Sequence, residues 1–507
     1  MKYLFIYPNE EQLEEINKIK YNKIIINKNK VFEIDLKEIN LDYKNYIIFC
    51  CNEEALYFSK TFLNNEINSS YNKKCLELYD KIYCDELYNS FDISHIKKNE
   101  VANIYPLVAK PNFGFASIGV KIINNEKEKE SYLKSFDEMI INSQINELKK
   151  KYFENIIIQP VYEKKRSNVY FYSVPFVYDK NKNKVIIFPV KGVKTKQNIQ
   201  TDYYWKEFVY DESRMNTSIY NMIEELLLNV SRKLLSKSSV NMAEVFYNIE
   251  SDNVELIEFS PRVPGGKISK LIEYGSGVNL NRLSIEVLVK KEVCVNKKRI
   301  PVKLTISFDE SDVIEDVIEI ETIYSDIFNQ NIKYVISEYK YPKIGLIPGR
   351  FAPPHKGHQL MFDKALKEMD KVIVLIYDTN DINVPLDVRA KWIKTLYPTF
   401  YIIEGNNCPD GDKYAYENGQ ECAFYQNKYI IYKTKKFNIT HVYHGTTYGE
   451  SVSKALDSIE NVVDLSRKKI SISGTIIRKD PLSNKKFLDE YVFEEYKKYL
   501  NVLTKDK

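Results

Sequence analysis

The segment IGLIPGRFAPPHKGH at residues 344–358 constrains the fold of this chain most, because it predicts a strand, a turn and a helix start in order. The apolar run IGLI is typical of a strand, the Gly-Pro-rich turn ends it, and a helix is expected to begin near Gln359. Two of the chain's five histidines, His355 and His358, lie in this turn. Backbone N–H groups at a helix start bind phosphate, and the two imidazoles can add hydrogen bonds or positive charge. The pattern predicts a site where the phosphates of a nucleotide react.

Composition predicts a globular chain and argues against two classes of partner. The 507 residues suffice for about two to four domains, and aromatic residues make up 13%. The net charge of +4 is spread over interspersed acids and bases, which favours neither a nucleic-acid footprint nor a polybasic membrane surface. No run approaches the ~18–20 apolar residues of a membrane span. We therefore expect small-molecule substrates, no nucleic-acid partner and no membrane, and a homo-oligomer remains open.

Cysteine usage and the N-terminus predict a cytoplasmic location. The seven cysteines have no metal-ligand or redox-pair spacing, and reduced thiols are typical of the cytoplasm. The first apolar run is too short for a signal peptide.

The order of apolar and polar segments predicts an α/β multidomain fold. Residues 1–100 alternate short apolar runs (YLFIY, KIIIN, YIIFCC) with helical stretches, which predicts a small α/β unit with a parallel sheet. Residues 101–340 read as strand-rich, with helices at 126–150 and about 218–237 and a small strand-rich appendage at 299–340. From 343 onward, strands and helices alternate to a C-terminal helix. Boundaries are expected near residues 100 and 341.

A second motif, ISGTIIR at 472–478, complements the histidine turn. Adenylyl transfer needs reactants held in line and charge stabilised on non-bridging and leaving oxygens. His355 and His358 suit the α-phosphate. Ser473 or Thr475, at a second helix start, and Arg478 suit the β- and γ-phosphates.

These motifs resemble the HxGH nucleotidyltransferases, and among them the nicotinamide mononucleotide (NMN) adenylyltransferases. The likeness continues through PLDVRAKWI, VYHGTTYGE and VVDLSRKKISISGTIIR and covers residues 343 to about 500. It implies a Rossmann-like domain that binds ATP, with Mg²⁺ carried by ATP. It also implies nucleotide contacts from Gly349, Arg350 and Phe351.

The likeness is closest to the transferase part of bifunctional NMN adenylyltransferase/ribosylnicotinamide kinases, and it leaves the acceptor open. Where those proteins have an aromatic residue in the pyridine-binding loop, this chain has Gln420. NMN, nicotinate mononucleotide and another phosphorylated molecule all remain candidates.

Several further residues have two readings. Trp392 is either core or a nucleotide-stacking edge, and Tyr448 and Glu450 are either site residues or a solvated turn. His441 and His444 flank a strand, and we expect them to be structural.

Acids on two strands predict a metal site in the N-terminal part. Glu244 lies in NMAEVFYNIE and Glu258 in VELIEFSPR, and the turn between them would pair the strands antiparallel. Alternation along a strand places Glu258 and Ser260 on one face. Carboxylates with a hydroxyl suit Mg²⁺ that bridges phosphate oxygens. Arg262 could then hold a carboxylate or an acyl phosphate.

These segments resemble the ATP-grasp ligases over roughly residues 1–340. The matches are LVAKPNFGFASIGV, the strand IIIQPVYE, and AEVF with IEFSPRVPGG. The resemblance implies a pre-ATP-grasp domain at 1–100, an ATP-grasp domain with its appendage at 101–340, and the nucleotidyltransferase domain at 341–507. It implies Mg²⁺ on the two glutamates and Ser260, where an asparagine is usual. The ATP contacts that it implies are Lys110, Ser117, Gly119, Gln159 and Glu163.

The combined prediction is a bifunctional enzyme. An ADP-forming carboxylate–amine ligase is fused to an adenylyltransferase that acts on NMN or a related phosphorylated acceptor and releases pyrophosphate. ATP and Mg²⁺ would serve both parts, and NAD biosynthesis would be one setting. Two alternatives remain: a cytidylyltransferase/ligase for a specialised metabolite, and a nucleotide-sensing regulatory protein.

Overall fold

The structure is a computed structural model that divides into two compact units, residues 1–213 with 220–339 and residues 214–219 with 340–507. It describes residues 2–20, 22–26, 46–51, 55, 68–69, 78, 81–95, 105–112, 121–142, 156–160, 169–193, 207–265, 267–290, 293–307, 316–325, 330–378, 384–409 and 420–500. In these residues we find no helix that is long and apolar enough to cross a membrane.

The first unit begins with a parallel sheet. Its described strands are β1 (Lys2–Ile6), β2 (Asn22–Ile26), β3 (Tyr46–Cys50) and β4 (Asn68–Ser69), in the order β2-β1-β3-β4. Rings of Tyr3, Phe5 and Phe49 pack with Ile285 and Leu288, so this sheet shares a core with the helix over 280–290. The apolar runs of the sequence therefore form the predicted α/β unit.

A small antiparallel sheet follows, with strand order β6-β5-β7 in the described residues. Its strands are β5 (Leu107–Pro111), β6 (Lys121–Ile123) and β7 (Ile156–Pro160).

A nine-stranded sheet forms the rest of the described strand structure of this unit. Its order is β13-β12-β8-β10-β11-β14-β16-β15, with β9 paired to β8. The strands are β8 (Val169–Asp179), β9 (Lys184–Ile187), β10 (Val190–Val193), β11 (Glu207–Tyr210), β12 (Ser239–Asn248), β13 (Asn253–Ser260), β14 (Val302–Ser307), β15 (Val317–Ser325) and β16 (Gln330–Glu338). β14 pairs with β11, so the predicted strand-rich appendage at 299–340 continues the main sheet.

The described helices up to residue 290 are α1 (Glu10–Asn17), α2 (Lys81–Ser90), α3 (Glu126–Asn142), α4 (Thr217–Leu234), α5 (Ile268–Ser276) and α6 (Leu280–Lys290). The side chains of α5 and α6 supply Leu271, Ile272 and Leu283 to a core with Val190 and Leu304 of the large sheet.

The second unit is a five-stranded parallel sheet in its described residues, with order β19-β18-β17-β20-β21. Its strands are β17 (Ile344–Gly349), β18 (Lys371–Tyr377), β19 (Tyr401–Gly405), β20 (His441–His444) and β21 (Ile459–Val462). Its helices are α7 (Lys356–Glu368), α8 (Leu386–Leu396), α9 (Gln420–Thr434), α10 (Tyr448–Ala455), α11 (Gly474–Lys479) and α12 (Glu490–Leu500).

The strand order places β17 at the point where the chain reverses its direction of travel across the sheet. Ligands of open α/β sheets bind outside the carboxyl ends of the strands at such a point. The turn with the two histidines leaves β17 there, so the topology already favours a site at this turn.

The α/β multidomain fold class is confirmed. Helix α7 begins at Lys356, three residues before the predicted start, because His355 itself is its N-cap with extended backbone (φ −132°, ψ 170°). The predicted domain boundary near residue 100 remains a prediction.

Candidate functional site

The turn after β17 is shaped by a glycine and an aromatic ring. A Cβ at Gly349 would lie 2.6 Å from Cζ of Phe351, so only glycine fits there without displacing the ring. Phe351 has a positive φ of 48°, and its buried ring meets His358 edge-on at 5.0 Å between centroids. The strand therefore ends in a tight turn that packs its aromatic residue beneath the histidines.

His355 and His358, hereafter the histidine pair, stack on each other. Their ring centroids are 3.7 Å apart with an interplanar angle of 20°. The backbone N–H of His355 donates to Nδ1 of His358 at 3.3 Å, so the proton of a neutral His358 lies on Nε2. Nδ1 of His355 is buried and has no hydrogen-bond partner in the described structure. A buried polar atom of this kind is suited to a ligand.

The histidine pair is neutral at pH 7 in this structure. Burial, with the nearby Arg467 guanidinium, lowers the pKa of His355 to about 4. Burial, His355 and Arg467 hold the pKa of His358 well below its usual range. Of the two contributions that the sequence predicted for these residues, hydrogen bonds or positive charge, burial therefore favours hydrogen bonds.

A cavity of 470 Å³ opens over the turn. The histidine pair lines it together with Ser473 and Gly474 from the ISGTIIR motif. The predicted nucleotide-contact residues Gly349, Arg350 and Phe351 line it as well. The two motifs, which are 118 positions apart if counted from His355 to Ser473 (473 − 355), thus meet at one site.

Arg478 and Thr475 lie beside this cavity and do not line it. Arg478 donates from Nη1 to the carbonyl oxygen of Ala352 at 2.9 Å and from Nη2 to Oγ1 of Thr475 at 3.2 Å. Ser473 caps α11, accepting the N–H of Ile476 at Oγ. Arg478 thus ties the second motif to the histidine turn, and its predicted contact with the β- and γ-phosphates stays a prediction.

Two lining residues were missed by sequence reasoning. Arg467, in the run LSRKKI, is exposed at the cavity and lowers the pKa of both members of the histidine pair. His444, expected to be structural, lines the cavity while its two ring nitrogens face the carbonyl of Thr446 and the carboxylate of Glu460. Arg467 lies in VVDLSRKKISISGTIIR, a segment that resembles the family. The pattern of polar and apolar residues in that segment does not mark Arg467 as a site residue.

The structure gives positions for three further residues whose role the sequence left open. Trp392 is fully buried among Val384, Ile472 and Tyr496, so it is core rather than a stacking edge. Tyr448 lines the cavity, whereas Glu450 pairs with Lys454 at 3.3 Å.

The cavity is also lined by residues of β18, of the segment after β19, and of the helix α9. Tyr377, Cys408 and Pro409 lie there, and Gln426 donates to the Pro409 carbonyl at 3.1 Å. Gln420 is the first residue of α9, and its side chain lies outside the described structure.

In the first unit, the two predicted acids face each other. β12 and β13 pair antiparallel with Glu244 opposite Glu258 and Met242 opposite Ser260. Side chains directly opposite in such a pair share a face about 5 Å apart, and like charges there destabilise the sheet. The antiparallel pairing that the sequence predicted thus places two half-buried carboxylates side by side.

A hydroxyl on the next strand completes this row. Ser173 of β8 lies opposite Glu244, is 2% exposed, and its Oγ has no hydrogen-bond partner in the described structure. Two carboxylates beside a buried, unpartnered hydroxyl fit a divalent cation that takes oxygen ligands. Among the described residues no third acid, histidine or cysteine joins them, so phosphate oxygens or water would have to complete the coordination.

The remaining predicted residues of the first unit are only partly described. Lys110 lies on β5 opposite Ile157, and Gln159 lies on β7 opposite Val108. Arg262 donates to the carbonyl of Val263 at 3.0 Å. Ser117, Gly119 and Glu163 lie outside the described residues, as does the side chain of Gln159.

Comparison with known proteins separates the two parts of the chain. Residues 346–480 match the sequence model of the cytidylyltransferase-like family. A sequence comparison with curated proteins returns no match.

Solved structures similar to the chain are ligases, carboxylases and synthetases. L-amino acid ligase from Bacillus licheniformis is 10% identical, with a TM-score of 0.47 over 67% of this chain and 94% of its own. N5-carboxyaminoimidazole ribonucleotide synthetase from Thermotoga maritima is 14% identical, with a TM-score of 0.44 over 66% and 93%. Biotin carboxylase from Campylobacter jejuni is 12% identical, with a TM-score of 0.43 over 66% and 87%. Because these TM-scores are below 0.5, a function for the first unit has to be argued from its own residues.

The second unit combines the family match with the convergence of both motifs on one cavity. The predicted resemblance to nucleotidyltransferases is thereby confirmed, and residues 346–480 form a cytidylyltransferase-like domain.

Proposed function

We propose that the second unit transfers a nucleotidyl group from a nucleoside triphosphate to a phosphorylated acceptor and releases pyrophosphate. The observation that carries this is the meeting of the histidine pair with Ser473 and Gly474 in one 470 Å³ cavity. An acceptor phosphate oxygen attacks the α-phosphorus of the triphosphate. The bond between the α-phosphorus and the oxygen that bridges it to the β-phosphorus breaks, and pyrophosphate leaves with that oxygen. The acceptor that we propose is NMN or a related mononucleotide.

The residues of the cavity have distinct tasks in this reaction. The histidine pair, which burial keeps neutral, offers N–H groups to α-phosphate oxygens. Charge on the phosphate then favours imidazole protonation, so the pair gains positive charge as charge builds up on the oxygens. Ser473 and Arg467, which line the same cavity, are proposed to hold the leaving pyrophosphate. Mg²⁺ would enter with the triphosphate and neutralise its oxygens.

Pyrophosphate release tests this function. The full chain is incubated with Mg²⁺, ATP or CTP, and NMN or nicotinate mononucleotide. We expect release with ATP and a mononucleotide, and a loss of about 10²–10³ in kcat for His358→Ala. His441→Ala is the matched control, since His441 does not line the cavity. Absence of pyrophosphate with every pair would refute the proposal.

Cytidylyl transfer is the second candidate, because the matching family model is described as cytidylyltransferase-like. Release with CTP and a phosphorylated alcohol, and none with ATP, would select it.

For the first unit we propose an ADP-forming carboxylate–amine ligase. The facing carboxylates of Glu244 and Glu258, with the unpartnered hydroxyl of Ser173, support a magnesium–ATP site. Phosphate would pass from ATP to a carboxylate, and an amine would then displace it from the acyl phosphate. Lys110 and Arg262 are proposed to hold the phosphates and the acid.

ADP formation from a carboxylate and amine library tests the ligase. Glu258→Gln should abolish it while leaving pyrophosphate release by the second unit unchanged. Equal ADP formation by Glu258→Gln and the unaltered chain would refute the assignment.

A further inference from the structure

His444 sits at the carboxyl end of β20, the strand beside β17, and lines the nucleotide cavity. It is 5% exposed, and its ring rests on Gly449, where a Cβ would lie 1.8 Å from the imidazole Cγ. The ring is therefore held in one position by its packing.

The hydrogen bonds of His444 determine its protonation. Nδ1 is 2.7 Å from the carbonyl oxygen of Thr446, and Nε2 is 2.8 Å from Oε1 of Glu460. A carbonyl oxygen only accepts, so Nδ1 carries a proton. If the ring were neutral, the lone pair of Nε2 would face an oxygen of the Glu460 carboxylate. That oxygen is also an acceptor, so the two atoms would repel each other.

A proton must therefore lie between Nε2 and Glu460. The Glu460 side chain is 33% exposed, and water there stabilises its ionised form. The proton consequently belongs to the ring, and the pair is an imidazolium with a carboxylate.

This pair places a positive charge in the wall of the cavity. Both N–H groups of His444 are used by the protein, so it offers a ligand charge rather than a hydrogen bond. Its counter-charge on Glu460 is nearer to water, which screens it more strongly. Among the described lining residues, Arg350 and Arg467 are exposed, which makes His444 the buried cation of this site.

We propose that His444, held as an imidazolium by Glu460 and the Thr446 carbonyl, is a positioning residue that selects polyphosphate ligands for this cavity. The inference rests on the proposed function in one respect, that a nucleoside triphosphate binds there. It assigns the positive charge of the site to His444 on β20, and not to the histidine pair.

Nitrogen NMR of the full chain labelled with ¹⁵N-histidine tests the protonation. With five histidines in the chain, the signal that disappears in His444→Gln is assigned to His444. We expect both of its ring nitrogens to carry a proton in the folded chain, and each ring of the histidine pair to carry only one. A neutral tautomer at His444 would overturn the inference whatever the enzyme does.

Calorimetric titration with inorganic tripolyphosphate and with ATP tests the role. We expect His444→Gln and Glu460→Gln each to weaken both ligands about tenfold, the size of a unit charge acting over a partly screened distance. His441→Gln, from the other end of the same strand, should bind both as the unaltered chain does. Glu460→Gln alters a partly exposed residue and keeps the test open if His444→Gln does not fold.

The outcomes separate the two proposals. If the unaltered chain binds neither ligand, the proposed function fails. If it binds both and Glu460→Gln binds them equally well, only the role of His444 fails.

Discussion

Replacing Arg389 by methionine should destabilise the second unit more than any surface substitution in it. Arg389 of α8 is 1% exposed, and its guanidinium donates to three backbone carbonyls. These belong to Val384 at 3.1 Å, Arg350 at 2.5 Å and Tyr377 at 2.8 Å. One side chain thus joins the start of α8, the histidine turn and the end of β18.

The size of the effect follows from the groups left behind. Methionine fills a similar volume but donates no hydrogen bond, so three acceptors lose their partner. Each buried unsatisfied group costs about 1–3 kcal/mol, and some relaxation is expected. We therefore expect the free energy of unfolding of the second unit to fall by about 4 kcal/mol.

Urea denaturation followed by tryptophan fluorescence measures this loss. The chain has two tryptophans, and Trp205→Phe leaves Trp392, fully buried in the second unit, as the reporter. Lys391→Met, on the exposed side of the same helix, is the control and should change stability by less than about 0.5 kcal/mol. A loss below about 1 kcal/mol for Arg389→Met would refute the bracing role.

Three further predictions concern packing, pH and the metal. Gly449→Ala should lower the thermal midpoint and nucleotide affinity together, because its Cβ would enter the His444 ring; an unchanged midpoint would contradict the packing. The pKa values of the histidine pair are lowered by burial, so the unfolded chain binds more protons below pH 6.5. Stability should therefore be intact above pH 6.5 and fall by about 1.4 kcal/mol per pH unit for each histidine toward pH 4. Replacing both by asparagine should flatten this slope in urea titrations at several pH values. Ser173→Ala should reduce the thermal stabilisation by Mg²⁺ with ATP, whereas Ser231→Ala, another buried hydroxyl without a described partner, should not. Equal stabilisation of both variants would remove Ser173 from the metal site.

The parts of the fold that depend on local pattern were predictable. The alternation of apolar runs and helices in residues 1–100 predicted the parallel sheet there, and the turn between NMAEVFYNIE and VELIEFSPR predicted the pairing of β12 with β13. The strands of the appendage were predicted, but their place in the large sheet was not, because β14 pairs with β11, which lies about 90 residues earlier in the chain. A pairing over that distance leaves no trace in local periodicity.

The chemistry of the candidate site was predictable only in part. The motifs located the histidine pair and Ser473, because a phosphate site needs a turn, a helix start and small residues in order. Their protonation was not predictable, since it depends on burial and on Arg467, which only the folded chain brings near.

Charge in this cavity depends on tertiary structure more than on residue type. The histidine pair is buried where desolvation removes its charge, whereas both ring nitrogens of His444 face oxygen acceptors, on Thr446 and Glu460, which is the basis of the charge that we propose for it. His444 and Glu460 are 16 positions apart and meet only because β20 and β21 lie side by side in parallel register. A histidine in a phosphate motif therefore cannot be assumed to be the cation of its site. In this cavity, the carboxylate on the adjacent strand, Glu460 of β21, determines which histidine carries the additional proton.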